Sequence, residues 1–213
     1  MSEAELGLKE TGEYEILKKR LSRLVSRIPL SYVDNQELFE KNKQEITDRW
    51  KRAVEISETL RDLKSVTHQD DRLKSMSKML AYLGLVESLG ATIVDMVLIV
   101  LMINGEEVHS RGAYTHHIKS FEELRDLDLA FKLDFLKDEG FNFNEIINRN
   151  LRNDIAHLKF TISETGDIRT NNNPVDINLE ITKFWDGVET FRRIFDSVEY
   201  FKMFDIKDDE CKA

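Results

Sequence analysis

The stretch 79–103 constrains the fold more than any other part of the chain. Over about 25 residues it carries only two charges, Glu87 and Asp95. A helix of that length can cross a bilayer. However, an acid near mid-bilayer costs about 2.5–3.5 kcal/mol, and this stretch holds two, together with Gly84 and Gly90. A central helix over 73–104, buried on several sides by neighbouring helices, accounts for the pattern better. The two acids then need partners inside the protein. An arginine from a later helix, over 142–158, is one candidate.

The chain supplies amphipathic neighbours for such a helix. Ile16, Leu17, Leu21, Leu24, Val25 and Ile28 recur at helical spacing over 13–28, and Pro29 stops the run. Phe39, Ile46, Ala53 and Leu60 fall seven apart, widened by Trp50, Ile56 and Leu63, so a second helix is predicted over 35–63. These two read as an antiparallel hairpin occupying 1–65. Residues 66–213 then form the main bundle, the whole packing as one unit. Residues 105–119 read as a connector punctuated by Gly105 and Gly112. Its His109, His116 and His117 are expected to be loop histidines rather than a zinc site, since no cysteine joins them.

A helix is predicted over 120–137, with Phe121, Leu124, Leu127, Phe131 and Phe135 on its apolar side. The helix over 142–158 has the strongest local signals. Asn142 is placed to cap it, Glu145 to close a capping box, and Phe141 and Ile146 to form a hydrophobic staple. Lys159-Phe160-Thr161-Ile162 and Val175-Asp176-Ile177-Asn178-Leu179 read as short strands. Turns are expected at 165–167 and 171–174. A last helix carries Phe184, Val188, Phe191, Phe195 and Val198. Only two prolines interrupt 213 residues. The expected fold is therefore all-α, an up-and-down helical bundle with an N-terminal helical hairpin and a small β-hairpin-like insert before the last helix.

Composition narrows the function. A net charge of −9 argues against a general polyanion binder, so any nucleic-acid site must be a local patch. The single cysteine, Cys211, allows no intramolecular disulfide and no cysteine-based zinc site. The first 30 residues are densely charged and lack an apolar core for a secretory signal. A cytoplasmic protein is expected, with no membrane association.

The chemistry concentrates on the helix over 142–158. With Leu151 as origin, Ile147, Ile155 and Leu158 lie within about 40° of it and form the core side. Arg152, Ala156, Arg149, Asn153 and His157 follow in order over about 100–240°. The outer face thus presents two arginines, an asparagine and a histidine around a small alanine. Arginine grips phosphate oxygens with a planar fork. Histidine, with an ordinary pKa of about 6.5, exchanges protons near neutrality. Such groups suit RNA cleavage by the RNA's own 2′-hydroxyl, without metal. The competing reading is an ordinary polar helix surface.

The segment Leu151-Arg152-Asn153-Asp154-Ile155-Ala156-His157 resembles the signature of the HEPN superfamily, an arginine, commonly followed by a polar residue, then a histidine a few positions on. The resemblance covers residues 70–205 and leaves 1–65 outside it. It implies an all-helical bundle with the motif late in the chain. It also implies a metal-independent endoribonuclease leaving 2′,3′-cyclic phosphate and 5′-hydroxyl ends, with no cofactor. By position, Arg152 and His157 would be catalytic and Asn153 supporting, while Arg149 and Lys159 would bind the substrate. Family members typically act as homodimers with a composite site, in toxin–antitoxin, antiviral and RNA-processing systems, so RNA and a possible antitoxin or other protein are the implied partners. Some members carry a tyrosine two residues after the histidine. Lys159 stands there instead, so modification at such a tyrosine is not expected. The alternative is a catalytically silent HEPN-like module that binds a protein or a nucleotide.

Overall fold

A long apolar rod runs through the protein, as the sequence requires. In the computed structural model it consists of α2 (Asp71–Leu85), one π-helical turn (Val86–Gly90) and α3 (Ala91–Ile103). The structure describes residues 12–26, 47–48, 50–56, 58–59, 70–104, 106, 108–110, 116–118, 121–171 and 173–196. Asp70 starts the rod by accepting the Arg72 and Leu73 N–H groups. Every residue from 92 to 100 is buried. The span Asp71–Met102 is long and apolar enough to cross a membrane, yet 78% of its apolar window is buried inside the protein itself. That is the signature of a core helix.

The π-turn lies where the rod changes neighbours. The Ser88 hydroxyl donates to the Gly84 carbonyl and the Thr92 hydroxyl to the Ser88 carbonyl, at 2.6 and 2.8 Å. Such back-bonding competes with the regular ladder and favours local widening. At Gly90 an added Cβ would sit 3.2 Å from the Phe184 ring and 3.3 Å from Ile147 Cδ1. Glycine here admits two neighbouring elements at close range.

The described residues are mostly helical, with a small antiparallel sheet. Helix α1 (Gly12–Val25) is built into the same core as the later helices. Tyr14, Leu17, Leu21, Leu24 and Val25 are buried, whereas Ile16, expected on this stripe, is exposed. The described positions of 47–59 are helical, with Trp50 and Ala53 buried and Ile56 exposed. The remainder of the expected 35–63 helix, Pro29, Gly105, Gly112, Val198 and Cys211 lie outside the described residues. Short strands β1 (His109–Ser110) and β2 (His116–His117) pair antiparallel, setting His109 opposite His117. These histidines therefore stand in a minimal ladder rather than a loop.

The helix expected over 120–137 is two. Helix α4 (Phe121–Asp126) stops, and α5 (Leu129–Asp138) restarts after Asp128 accepts the Phe131 N–H at 2.8 Å. An aspartate placed to cap a new helix outcompetes continuation of the old one. Helix α5 packs on α3 and brings Lys132 into the core, 2.8 Å from Asp95, both side chains about 5% exposed or less. The rod's buried acid thus has a buried lysine as its partner.

A 3₁₀ turn (Phe143–Glu145) precedes α6 (Arg149–Ala156). The sheet follows, with order β3 (Phe160–Ile162), β4 (Ile168–Thr170), β5 (Asn173–Val175). It has one strand more than a hairpin, and Pro174 lies in a strand instead of a turn. Residues 177–179, expected to be extended, begin α7 (Ile177–Asp196), because the Asp176 carboxylate caps Asn178 and Leu179. Helix α7 packs against α1 and α2. Its contact with α1 includes a Tyr14 hydroxyl bond to Thr190.

Candidate functional site

Helix α6 is shorter than the sequence suggests. Asn142 does act as a cap, accepting the Asn144 N–H at 3.1 Å, but it caps the 3₁₀ turn. The cap of α6 is Asn148, whose side chain accepts the Leu151 N–H at 3.0 Å. Two asparagines six apart offer the backbone two starting points, and the chain uses both. Leu151 and Ile155 are buried, while Arg149, Arg152, Asn153, Ala156 and His157 are half-buried or exposed. Leu151 and Ile155 fall on the core side as the helical wheel dictates, but Leu158, expected beside them, lies past the helix end and is exposed.

Three links fix α6 to the rod. The buried Tyr82 hydroxyl accepts the Asn148 N–H at 3.0 Å. Burial pushes the Tyr82 phenol well above its ordinary value, so it stays neutral. Gly90 lets Ile147 approach. Finally, Glu87, on the π-turn, forms an ion pair with Arg152 through Nε. The expectation that a motif-helix arginine meets one of the rod's acids thus holds for Glu87, which is itself exposed at the rod's surface.

Arg152 is held a second time, since its Nη1 donates to Asn153 Oδ1 at 2.8 Å. Arg149 pairs with Asp134 of α5. Both arginines are therefore neutralised by carboxylates in this chain. Two of the three cations (Arg149, Arg152, Lys159) are matched by Asp134 and Glu87, and a further acid, Asp154, accepts a hydrogen bond from Asn171 at 3.1 Å. A positive cleft built from these residues alone is not what one copy of the chain presents.

His157 is the C-cap residue of α6, exposed, with its N–H donating to the Asn153 carbonyl at 3.0 Å. Its imidazole has no side-chain partner among the described residues. Arg152 and His157 are about 140° apart around the axis and about 7.5 Å apart along it. Asn153 therefore connects them, touching the Arg152 guanidinium with its side chain and His157 with its backbone.

The chain leaves α6 through a left-handed residue. Leu158 has φ +55° and is 78% exposed. Its N–H donates to the Ile155 carbonyl at 3.1 Å, and the Lys159 N–H to the Asp154 carbonyl at 2.7 Å. This is a Schellman ending, usually built on glycine. Leucine carries a strain there of about 1–2 kcal/mol, stored one residue from the exposed histidine.

The sequence alone does not reveal Asp134 or Asn171 as neighbours of this region. Among the described residues, no cluster of histidine, cysteine, aspartate or glutamate could hold a metal ion. Comparisons with protein-family profiles, with curated proteins and with solved structures find no match.

Proposed function

We propose that this protein is a metal-independent endoribonuclease of the HEPN type, acting in the cytoplasm as a homodimer. The observation that carries the reading is the arrangement on α6. Arg152 is oriented by Glu87 and Asn153, five residues before an exposed His157 whose imidazole has no side-chain partner among the described residues. Helix order supports it too, with apolar helices before the motif and the sheet and α7 after it. The exposed Ala156 gives a second copy room to approach this face.

In this mechanism His157 takes the proton from a ribose 2′-hydroxyl, and the oxygen attacks the adjacent phosphorus. Charge builds on the equatorial oxygens, where the Arg152 guanidinium stabilises it. The bond to the 5′-oxygen breaks, that oxygen takes up a proton from water, and the His157 imidazolium returns its own proton to solvent. The products are a 2′,3′-cyclic phosphate and a 5′-hydroxyl. Asn153 keeps Arg152 in place, and Arg149 and Lys159 bind flanking phosphates. Glu87 must share Arg152 with the phosphate during the reaction. A cognate antitoxin or another protein partner would control such an activity.

The test is incubation of purified protein with a mixed RNA pool and sequencing of 5′-hydroxyl ends, with and without EDTA. New ends that persist in EDTA support the reading, and their absence sinks it. One observation favours a second reading, a silent HEPN-like module binding a protein or nucleotide. Both arginines already have carboxylate partners, which suits a face that is structural. Light scattering adds a check, because a clean monomer at low micromolar concentration removes the composite site.

A further inference from the structure

The three-stranded sheet has two unlike sides. Ile168 and Thr170 are buried, and Phe160 and Ile162 half-buried, on the side that packs toward α2. There the Ser75 hydroxyl donates to the Gly166 carbonyl at 2.7 Å. On the other side, register places Thr161, Arg169 and Pro174 across from one another in successive strands, all exposed. Lys159 is exposed too, and lies two residues before Thr161. Lys159 directly precedes β3, and where the strand's alternation is continued back by one residue it falls on the outer side with Thr161, at the end of the face nearest His157 in the chain.

The charges on this face differ from those on α6. Arg149 and Arg152 are paired with carboxylates. Lys159 and Arg169 have no ion pair and no side-chain hydrogen bond among the described residues. On the helix side, Asp154 accepts a hydrogen bond from Asn171. At the far end the β3–β4 turn carries Glu164 and Asp167, the latter bonded to Thr165 and Ser163. Lys159 and Arg169 therefore attract a polyanion toward the helix end of the face, while Asp167, two residues before Arg169, and Glu164 repel it at the turn end.

We infer that the outer face of this sheet, through Lys159, Thr161 and Arg169, binds the sugar–phosphate backbone of single-stranded RNA beside the bond that His157 and Arg152 cleave. The assignment rests on the ribonuclease reading for the position of the scissile bond. Charge complementarity and continuity with His157 select the occupant. Two cations diagonal to each other on a strand pair stand about 7–8 Å apart at the backbone, within reach of neighbouring phosphates for side chains of this length. The Thr161 hydroxyl lies between them as a neutral donor. Among the described residues this face carries no aromatic platform, so the contact is indifferent to sequence.

The experiment measures binding of a fluorescent single-stranded 2′-O-methyl RNA, which cannot be cleaved through its 2′-oxygen, across a range of KCl concentrations. Each phosphate contact adds about 0.7 to the slope of log affinity against log salt for single strands. Lys159→Gln and Arg169→Gln are each expected to flatten the slope by about 0.7, and the double substitution by about 1.4. Arg169→Lys should keep it. Both side chains are exposed, so the fold should tolerate these changes, and circular dichroism confirms that. An unchanged slope in the double variant overturns the inference, even if the wild type cleaves RNA. Failure of the wild type to bind this RNA overturns it as well. A salt slope that depends on Lys159 and Arg169, in a protein that cleaves nothing, upholds the binding face and rejects the ribonuclease reading.

Discussion

Gly187→Ala sets helix propensity against packing, and the two predict opposite signs. Gly187 lies inside α7, where alanine is normally better than glycine by about 0.8–1.0 kcal/mol. Here, however, an added Cβ would lie 2.6, 2.7 and 2.9 Å from Cγ2, Cγ1 and Cδ1 of Ile146. Carbon atoms prefer about 3.5–4.0 Å, so one of the partners must retreat by most of an ångström. Ile146 is 7% exposed and lies three residues before α6, which leaves it little room. Overpacking of this kind costs about 1–3 kcal/mol. Subtracting the propensity gain leaves a net loss of about 1 kcal/mol, or about 2–4 °C in Tm for a chain of this size. Thermal unfolding followed by circular dichroism reads this directly. A rise in Tm would refute the packing argument. Ile146→Ala removes all three crowding atoms, so the double substitution should be less damaging than the sum of the single ones.

Other outcomes follow from the same contacts. Arg152→Ala and His157→Ala should each lower RNA cleavage by about 10²–10⁴-fold with no loss of fold, and undiminished cleavage in both variants would end the mechanism. Lys132→Met should cost about 3–5 kcal/mol by leaving Asp95 buried without its cation, whereas Asp95→Leu with Lys132→Met should recover most of that loss. Chemical denaturation of the three proteins separates the cases. Raising the pH should weaken the fold through Tyr82. Below about pH 10 its phenol is neutral in both states. Above that the unfolded phenol ionises while the buried one resists, and stability falls by about 1.4 kcal/mol per pH unit. Burial moves Tyr14 in the same direction. Tyr82→Phe should flatten the alkaline slope, and an unaltered slope would show that Tyr82 is not its source.

What the sequence revealed depended on the range of the interaction. The core rod was legible because 92–100 leaves no side for water. The polar face of α6 was legible because Leu151 and Ile155 fix the rotation of the helix. Helix ends were harder, because several residues competed to cap them. Asn142 and Asn148 both suit the role, and Asp128 and Asp176 looked like ordinary charges until each captured a backbone N–H. Ile177 read as strand because a short Val-Asp-Ile-Asn-Leu alternation also fits the start of an amphipathic helix. Pairings across the chain were harder still. Nothing local to Lys132 says that it enters the core, and nothing local to Asp134 says that it meets Arg149. Arg152 had a candidate in the rod's acids, but only the packing of α6 on α2 selects Glu87 over Asp95.

The π-turn at Val86–Gly90 also makes the rod a matter of phase. A π-turn is an α-helix with one residue to spare. Deleting that spare residue would restore a continuous α-helix with the flanking helices keeping their faces, so Tyr82 would still meet Asn148 and Asp95 would still face Lys132. What would change is the widened turn itself, which carries Glu87. A lineage could lose the surplus residue, keep a well-filled interior, and part with the device that orients Arg152.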